Sequence, residues 1–176
     1  TREINELRKF DPIDLFKSKR DSLVSVSRFE LLPGQQKNPL GFGSGFFVYA
    51  EPVKKGSCEV VTNNHVVKDS KTVDVELRDG HTFSAEVVKH DTKNDLAVLQ
   101  IKNVAEPSKT CPTLDLASGE PVKPGDPLVQ LTARGKQFWF RSGHAKAYGA
   151  MKESVPNLKD FPEADLNRRN LPLNTI

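Results

Sequence analysis

Residues 73–101 read VDVELRDGHTFSAEVVKHDTKNDLAVLQI. Val73, Val75 and Leu77 alternate with Asp74 and Glu76, the period of two expected of a strand with one buried face. Asp79-Gly80 then supplies a hairpin signal, and residues 82–89 (TFSAEVVK) are predicted to pair back on the first run. Leu96 to Ile101 is an apolar run of strand length. Nothing between these runs is long enough for a crossover helix, which argues against a parallel sheet.

The same pattern extends upstream. Leu23, Val24, Val26 and Phe29 lead to Leu31-Leu32, and Pro33-Gly34 marks a turn. A strand over 41–50 is entered through Gly41, Gly43 and Gly45, and a third over 58–62 (CEVVT) runs into Asn63-Asn64-His65. Strands this short and closely spaced predict an all-β barrel or sandwich. Before them, 3–9 and 13–20 are short helical candidates separated by Asp11-Pro12. Downstream, Pro107, Pro112, Pro121 and Pro124 punctuate a connection over 103–126 that links two lobes. A second β region follows, with strands over 127–132 and 137–147 about a turn near Arg134-Gly135. Residues 152–170 read as a long surface loop, and 171–176 (LPLNTI) as the start of another strand.

Composition bounds the possible partners. The 176 residues are 36% hydrophobic and 28% charged, with ten Phe, enough to build a core. The formal charge of +3 is small and dispersed, which argues against nucleic acid or an anionic membrane as the main partner. No apolar run approaches a membrane span. The first residue is Thr1 rather than Met, so the chain is expected to be either a processed product or a recombinant fragment, with any targeting segment already gone. Two cysteines, Cys58 and Cys111, exclude a disulfide-dense scaffold. A bridge between them is possible, but two separate thiols are the simpler reading.

Two places carry chemistry. His65 stands just past one buried strand, and Asp95 stands at the mouth of another. A general base built from imidazole needs a carboxylate on its second nitrogen to fix the tautomer. Alone, such a pair is more simply a turn histidine and a strand-capping aspartate. Its surroundings change that weighting. Gly43-Ser44-Gly45-Phe46-Phe47-Val48, Val61-Thr62-Asn63-Asn64-His65-Val66-Val67, Val73-x-Val75-x-Leu77-x-Asp79-Gly80, Phe83-x-Ala85-x-Val87-Val88 and Asp91 with Asp95-Leu96-Ala97-Val98-Leu99 form an ordered series. The series resembles trypsin-like serine proteases of the bacterial HtrA (Deg) type over about 22–149, most specifically over 43–101. The resemblance implies a chymotrypsin-like double β-barrel with its active site in the cleft between barrels. It assigns His65 as general base and Asp95 as the orienting carboxylate, with Asp91 a turn residue and the runner-up. The implied domains are a helical extension (1–21), a first barrel (22–102), the connection (103–126) and the first part of a second barrel (127–176), with its long loop near 151–170.

The sequence departs from that family at the nucleophile. Family members carry Gly-Asn-Ser-Gly-Gly or a close relative, and these residues contain no such segment. Ser118 and Ser142 each lack the glycine two residues earlier, and Cys111 follows Asp95 too soon, so no nucleophile is assigned. The second barrel is therefore expected to be incomplete. A companion fragment from a chain nicked just before the nucleophile is the favoured explanation, with self-processing as one origin; truncation and degeneration are the others. Other signals are weak. Gly41, Gly43 and Gly45 lack the Lys-Ser/Thr of a phosphate loop. His81 is most simply solvated, and His90 and His144 have no ligand-spaced partners, so neither a metal nor a cofactor is expected. Trp139 reads as core, facing inward with Leu128, Val129 and Leu131.

The expected function is a serine endopeptidase acting on polypeptide through an acyl-enzyme. His65 and Asp95 come from this chain and the serine from the companion. The alternative is an inactive trypsin-fold member that serves as a binding or scaffold module. Analogy with envelope proteases implies the bacterial periplasm. Phe10, Leu15 and Phe16 are expected to pack either on the barrel or on a neighbouring subunit of a homo-oligomer, since relatives often trimerise through N-terminal aromatic contacts.

Overall fold

A computed structural model describes residues 11–34, 36–49, 56–116 and 121–145. The helical candidate at 3–9, the loop at 152–170, the strand at 171–176, Phe10 and Ser118 lie outside the described residues. Helix α1 (Pro12–Lys19) begins where Asp11 accepts a hydrogen bond from the Ile13 N–H at 2.7 Å, with proline at the first helical position. A 3₁₀ turn (Arg20–Ser22) leads into β1 (Leu23–Leu31). There follow β2 (Lys37–Val48), β3 (Cys58–Thr62), the one-turn helix α2 (Asn64–Val67), β4 (Thr72–Leu77), β5 (Thr82–Asp91) and β6 (Leu96–Ile101).

These six strands close into an antiparallel barrel in the order β1-β2-β3-β6-β5-β4. Closure leaves no strand edge unpaired. Every second side chain points inward. On β3 and β6 the buried set is Cys58, Val60, Thr62 and Ala97, Leu99, Ile101. Val24, Val26, Val73 and Val75 fill the same interior, each fully buried. Phe47 is the largest fully buried side chain of the described residues. The core is thus built chiefly of valine, the β-branched residue that suits a small barrel's pleated wall.

Gly43 and Gly45 face this interior and are glycine because the space is taken. A Cβ on Gly43 would lie 2.4 Å from one methyl of Val66, and a Cβ on Gly45 would lie 2.7 Å from a methyl of Val60. The bare backbone at Gly43 is what lets α2 sink against β2.

The antiparallel register of β3 and β6 fixes the end of the barrel at which His65 and Asp95 lie. Cys58 pairs with Ile101 and Thr62 pairs with Ala97, so the C-terminal end of β3 lies beside the N-terminal start of β6. His65, three residues past Thr62, and Asp95, two before Ala97, therefore emerge at the same rim.

The segment after β6 is anchored. The Val104 N–H donates to the Gly56 carbonyl at 2.8 Å, a short helix α3 (Pro107–Thr110) follows, and the Leu114 N–H donates to the Phe47 carbonyl at 2.9 Å. This corrects the reading of two separate thiols: Cys58 and Cys111 are joined by a disulfide, with Cα atoms 6.3 Å apart. The anchors fold the connection back onto the start of β3. A separation of 53 residues carries no trace of that proximity.

Two compact units can be distinguished. The first holds the barrel, the anchored segment to Leu116 and Leu131–Trp139; the second takes 121–130 and 140–145 of the described residues. Strands β7 (Pro127–Arg134) and β8 (Gln137–His144) form a two-stranded sheet. Leu128, Val129, Leu131 and Trp139 are each half-buried in it. Within the first unit, Ser44 Oγ donates to the Ala133 carbonyl and accepts from the Ala133 N–H, both at 3.0 Å. Ser25 Oγ accepts from the Gly135 N–H at 2.7 Å.

Candidate functional site

β3 ends at Thr62, whose buried hydroxyl donates to the Ser44 carbonyl at 2.8 Å and ties the strand to β2. Asn63 is extended, with φ −79° and ψ 143°, and α2 starts immediately after it. Val66 and Val67 bury themselves in the barrel, which turns His65 to the outside of the same helical turn. Burial on one side and exposure on the other thus orient the imidazole.

Opposite it, the turn between β5 and β6 is set by Asp91. Its Oδ1 accepts from the Asn94 N–H at 3.0 Å and its Oδ2 accepts from the Asn94 side-chain amide at 2.8 Å. These bonds, the side-chain amide first, hold the Asp91 carboxyl below its ordinary value. Asp95 then adopts φ +56°, a left-handed conformation uncommon outside glycine and most accessible to asparagine and aspartate among the other residues. Three donors from the β3–α2 junction meet it there. The Asn64 N–H donates to the Asp95 carbonyl at 3.1 Å, the Asn63 amide donates to the same carbonyl at 3.0 Å, and the His65 N–H donates to Asp95 Oδ1 at 2.8 Å.

His65 Nδ1 lies 2.6 Å from Asp95 Oδ2. The imidazole side chain is 51% exposed and the carboxylate 21% exposed, so the pair sits at a surface with its carboxylate sheltered. A carboxylate in this position holds the hydrogen on Nδ1 and leaves Nε2 as the basic nitrogen, the arrangement that proton abstraction from a hydroxyl requires. The structure brings His65 to Asp95, while Asp91 is occupied by Asn94.

The other candidates are spread elsewhere. Cys111 is in the disulfide and has no thiol to offer. Ser142 is exposed on β8. His81 is 74% exposed, with Nδ1 3.0 Å from Asp79 Oδ2. Asp79 is itself held below its ordinary value, chiefly by the His81 backbone N–H. His144 is exposed on β8, and Trp139 is half-buried. The sequence reading missed Asn63, and it missed His90, whose Nδ1 lies 2.8 Å from Asn64 Oδ1 and braces α2 from β5. The Asn-Asn dipeptide ahead of the histidine was the available signal, since side chains of this type bond readily to nearby backbone.

Residues 43–167 match the profile of the trypsin-like peptidase domain. The chain is 35% identical over 143 residues to the periplasmic serine endoprotease DegP of Salmonella typhimurium, covering 78% of this chain and 28% of that protein. It is 33% identical to DegP of Escherichia coli K12 over the same length and shares. The periplasmic pH-dependent serine endoprotease DegQ of Escherichia coli K12 is 34% identical over 146 residues, covering 79% of this chain and 30% of DegQ. The chain thus spans less than a third of the length of these relatives.

Proposed function

The chain belongs to the trypsin-like peptidase family, with HtrA-type serine endoproteases among its relatives, and from that premise we propose that it supplies the base and the orienting carboxylate of a serine endopeptidase. His65 takes the proton of the attacking serine through Nε2 and returns it to the leaving amine. Asp95 keeps the tautomer and stabilises the imidazolium. Peptide hydrolysis then runs through an acyl-enzyme, with water completing the cycle. The serine belongs to polypeptide outside these 176 residues, either continuous with them or held as a companion fragment. Its substrate is polypeptide, and its place of action is the periplasm, as the names of the relatives suggest.

The observation that carries this reading is the 2.6 Å contact between His65 Nδ1 and Asp95 Oδ2, reinforced by the bond from the His65 backbone to the other carboxylate oxygen. A structural histidine at a turn has no need of both. The second reading, an inactive trypsin-fold scaffold, draws on the lack of a Gly-x-Ser-Gly turn in these residues. Peptidase assays on the protein in its native length separate the two. Asp95→Asn is expected to lower kcat by roughly 10⁴-fold, the effect of leaving the histidine in the wrong tautomer. His65→Ala is expected to remove nearly all turnover with melting little changed. Turnover that survives His65→Ala would end the peptidase reading, and a wild type without activity would favour the scaffold.

A further inference from the structure

Asparagine at the position before a helix ordinarily caps it, its side chain accepting from a backbone N–H of the first turn. Asn63 occupies that position before α2 but makes no capping bond with its side chain. The first-turn donors are satisfied otherwise. The His65 N–H goes to Asp95 Oδ1 at 2.8 Å, and the Val66 N–H goes to the Asn63 carbonyl at 3.1 Å. Asp95 therefore caps the helix from across the rim, and the Asn63 amide is released for other work.

That amide points at Asp95. Its Nδ2 lies 3.0 Å from the Asp95 carbonyl and 3.4 Å from Oδ2, the oxygen that faces the His65 ring. The Asp95 carbonyl takes a second donor, the Asn64 N–H, at 3.1 Å. The peptide so gripped is the one at φ +56°. A left-handed aspartate persists where its surroundings over-determine it, and Asn63 supplies the side-chain part of that determination. The neighbouring amide does something different, since Asn64 Oδ1 faces His90 Nδ1 at 2.8 Å.

We infer that Asn63 is a positioning residue. It locks the backbone and carboxylate of Asp95 in the orientation that meets His65 Nδ1, so that the pair is set before any substrate arrives. The inference rests on the reading of His65 and Asp95 as base and orienting carboxylate. It adds a residue that acts only through Asp95.

The test is the solvent-exchange rate of the His65 Nδ1 hydrogen, measured by NMR on the native-length protein at acidic pH. Wild type is compared with Asn63→Ala, Asn64→Ala and Asp95→Asn. Asn63 is exposed, so its truncation removes little packing. Loss of one hydrogen bond's worth of restraint should speed exchange roughly three- to tenfold in Asn63→Ala. Asn64→Ala should stay within about twofold of wild type, because its side chain bonds His90 and not Asp95. Asp95→Asn should abolish the protected signal. Equal effects of the two asparagine variants, an Asn63→Ala rate equal to wild type, or an unfolded Asn63→Ala would each overturn the inference and leave the pair intact. A protected signal missing from wild type, or retained in Asp95→Asn, would instead overturn the pair itself and the inference with it.

Discussion

At Gly43 the difference between a hydrogen and a methyl decides how deep the histidine-bearing turn can sit. An alanine there would put Cβ 2.4 and 2.7 Å from the two methyls of Val66, beside His65. Overpacking of this kind costs about 1–3 kcal/mol. Gly43→Ala is thus expected to lower the melting temperature, and Gly43→Ala with Val66→Ala to be more stable than the two single effects sum to. Thermal melts of the three variants measure that coupling. His65 and Asp95 were legible as residues because the words around them, Thr62-Asn63-Asn64-His65 and Asp95-Leu96-Ala97-Val98-Leu99, carry a resemblance. The hydrogen-bond partners of Asn63 and His90 were not legible. Each lies 26 or more residues away, and no local pattern reports such a bond.

Elements were legible in proportion to their periodicity. β3 and β6 appear over the expected residues, 58–62 and 96–101, because both are short apolar runs with sharp ends. β2 begins four residues earlier than its glycines suggested, at Lys37, since pairing with β1 extends the hairpin beyond the barrel's apolar stretch. The disulfide was misread, because proximity of Cys58 and Cys111 arises from tertiary anchors at Val104 and Leu114. Bridging 53 residues should restrict the unfolded chain by about 4 kcal/mol. Reduction, or the Cys58→Ala/Cys111→Ala pair, is accordingly expected to destabilise the barrel by up to that amount in urea titrations. A bridge without effect would mean the anchors alone hold the connection. The β5–β6 turn carries a pH dependence of known sign. Asp91 binds protons less readily folded than unfolded, so its contribution is complete above the unfolded carboxylate pKa of about 3.9 and fades as pH falls through the lower folded value. The protection of the Asn94 amide, its exchange rate relative to that of an unstructured amide at the same pH, should therefore fall on acidification in wild type and be low at every pH in Asp91→Ala.

For the molecule as a whole, six strands closed in a barrel bring an imidazole and a carboxylate from 30 residues apart to one rim. The proposed reaction also needs a serine, one that His65 activates. The direct measurement is labelling of the native-length protein with a fluorophosphonate, which reacts with serines made nucleophilic by a neighbouring base, followed by peptide mapping. Under the proposed mechanism one serine is labelled, in a Gly-x-Ser-Gly turn of polypeptide outside residues 1–176, with labelling abolished in His65→Ala. Absence of any labelled serine, or labelling that persists without the His65 imidazole, would contradict it.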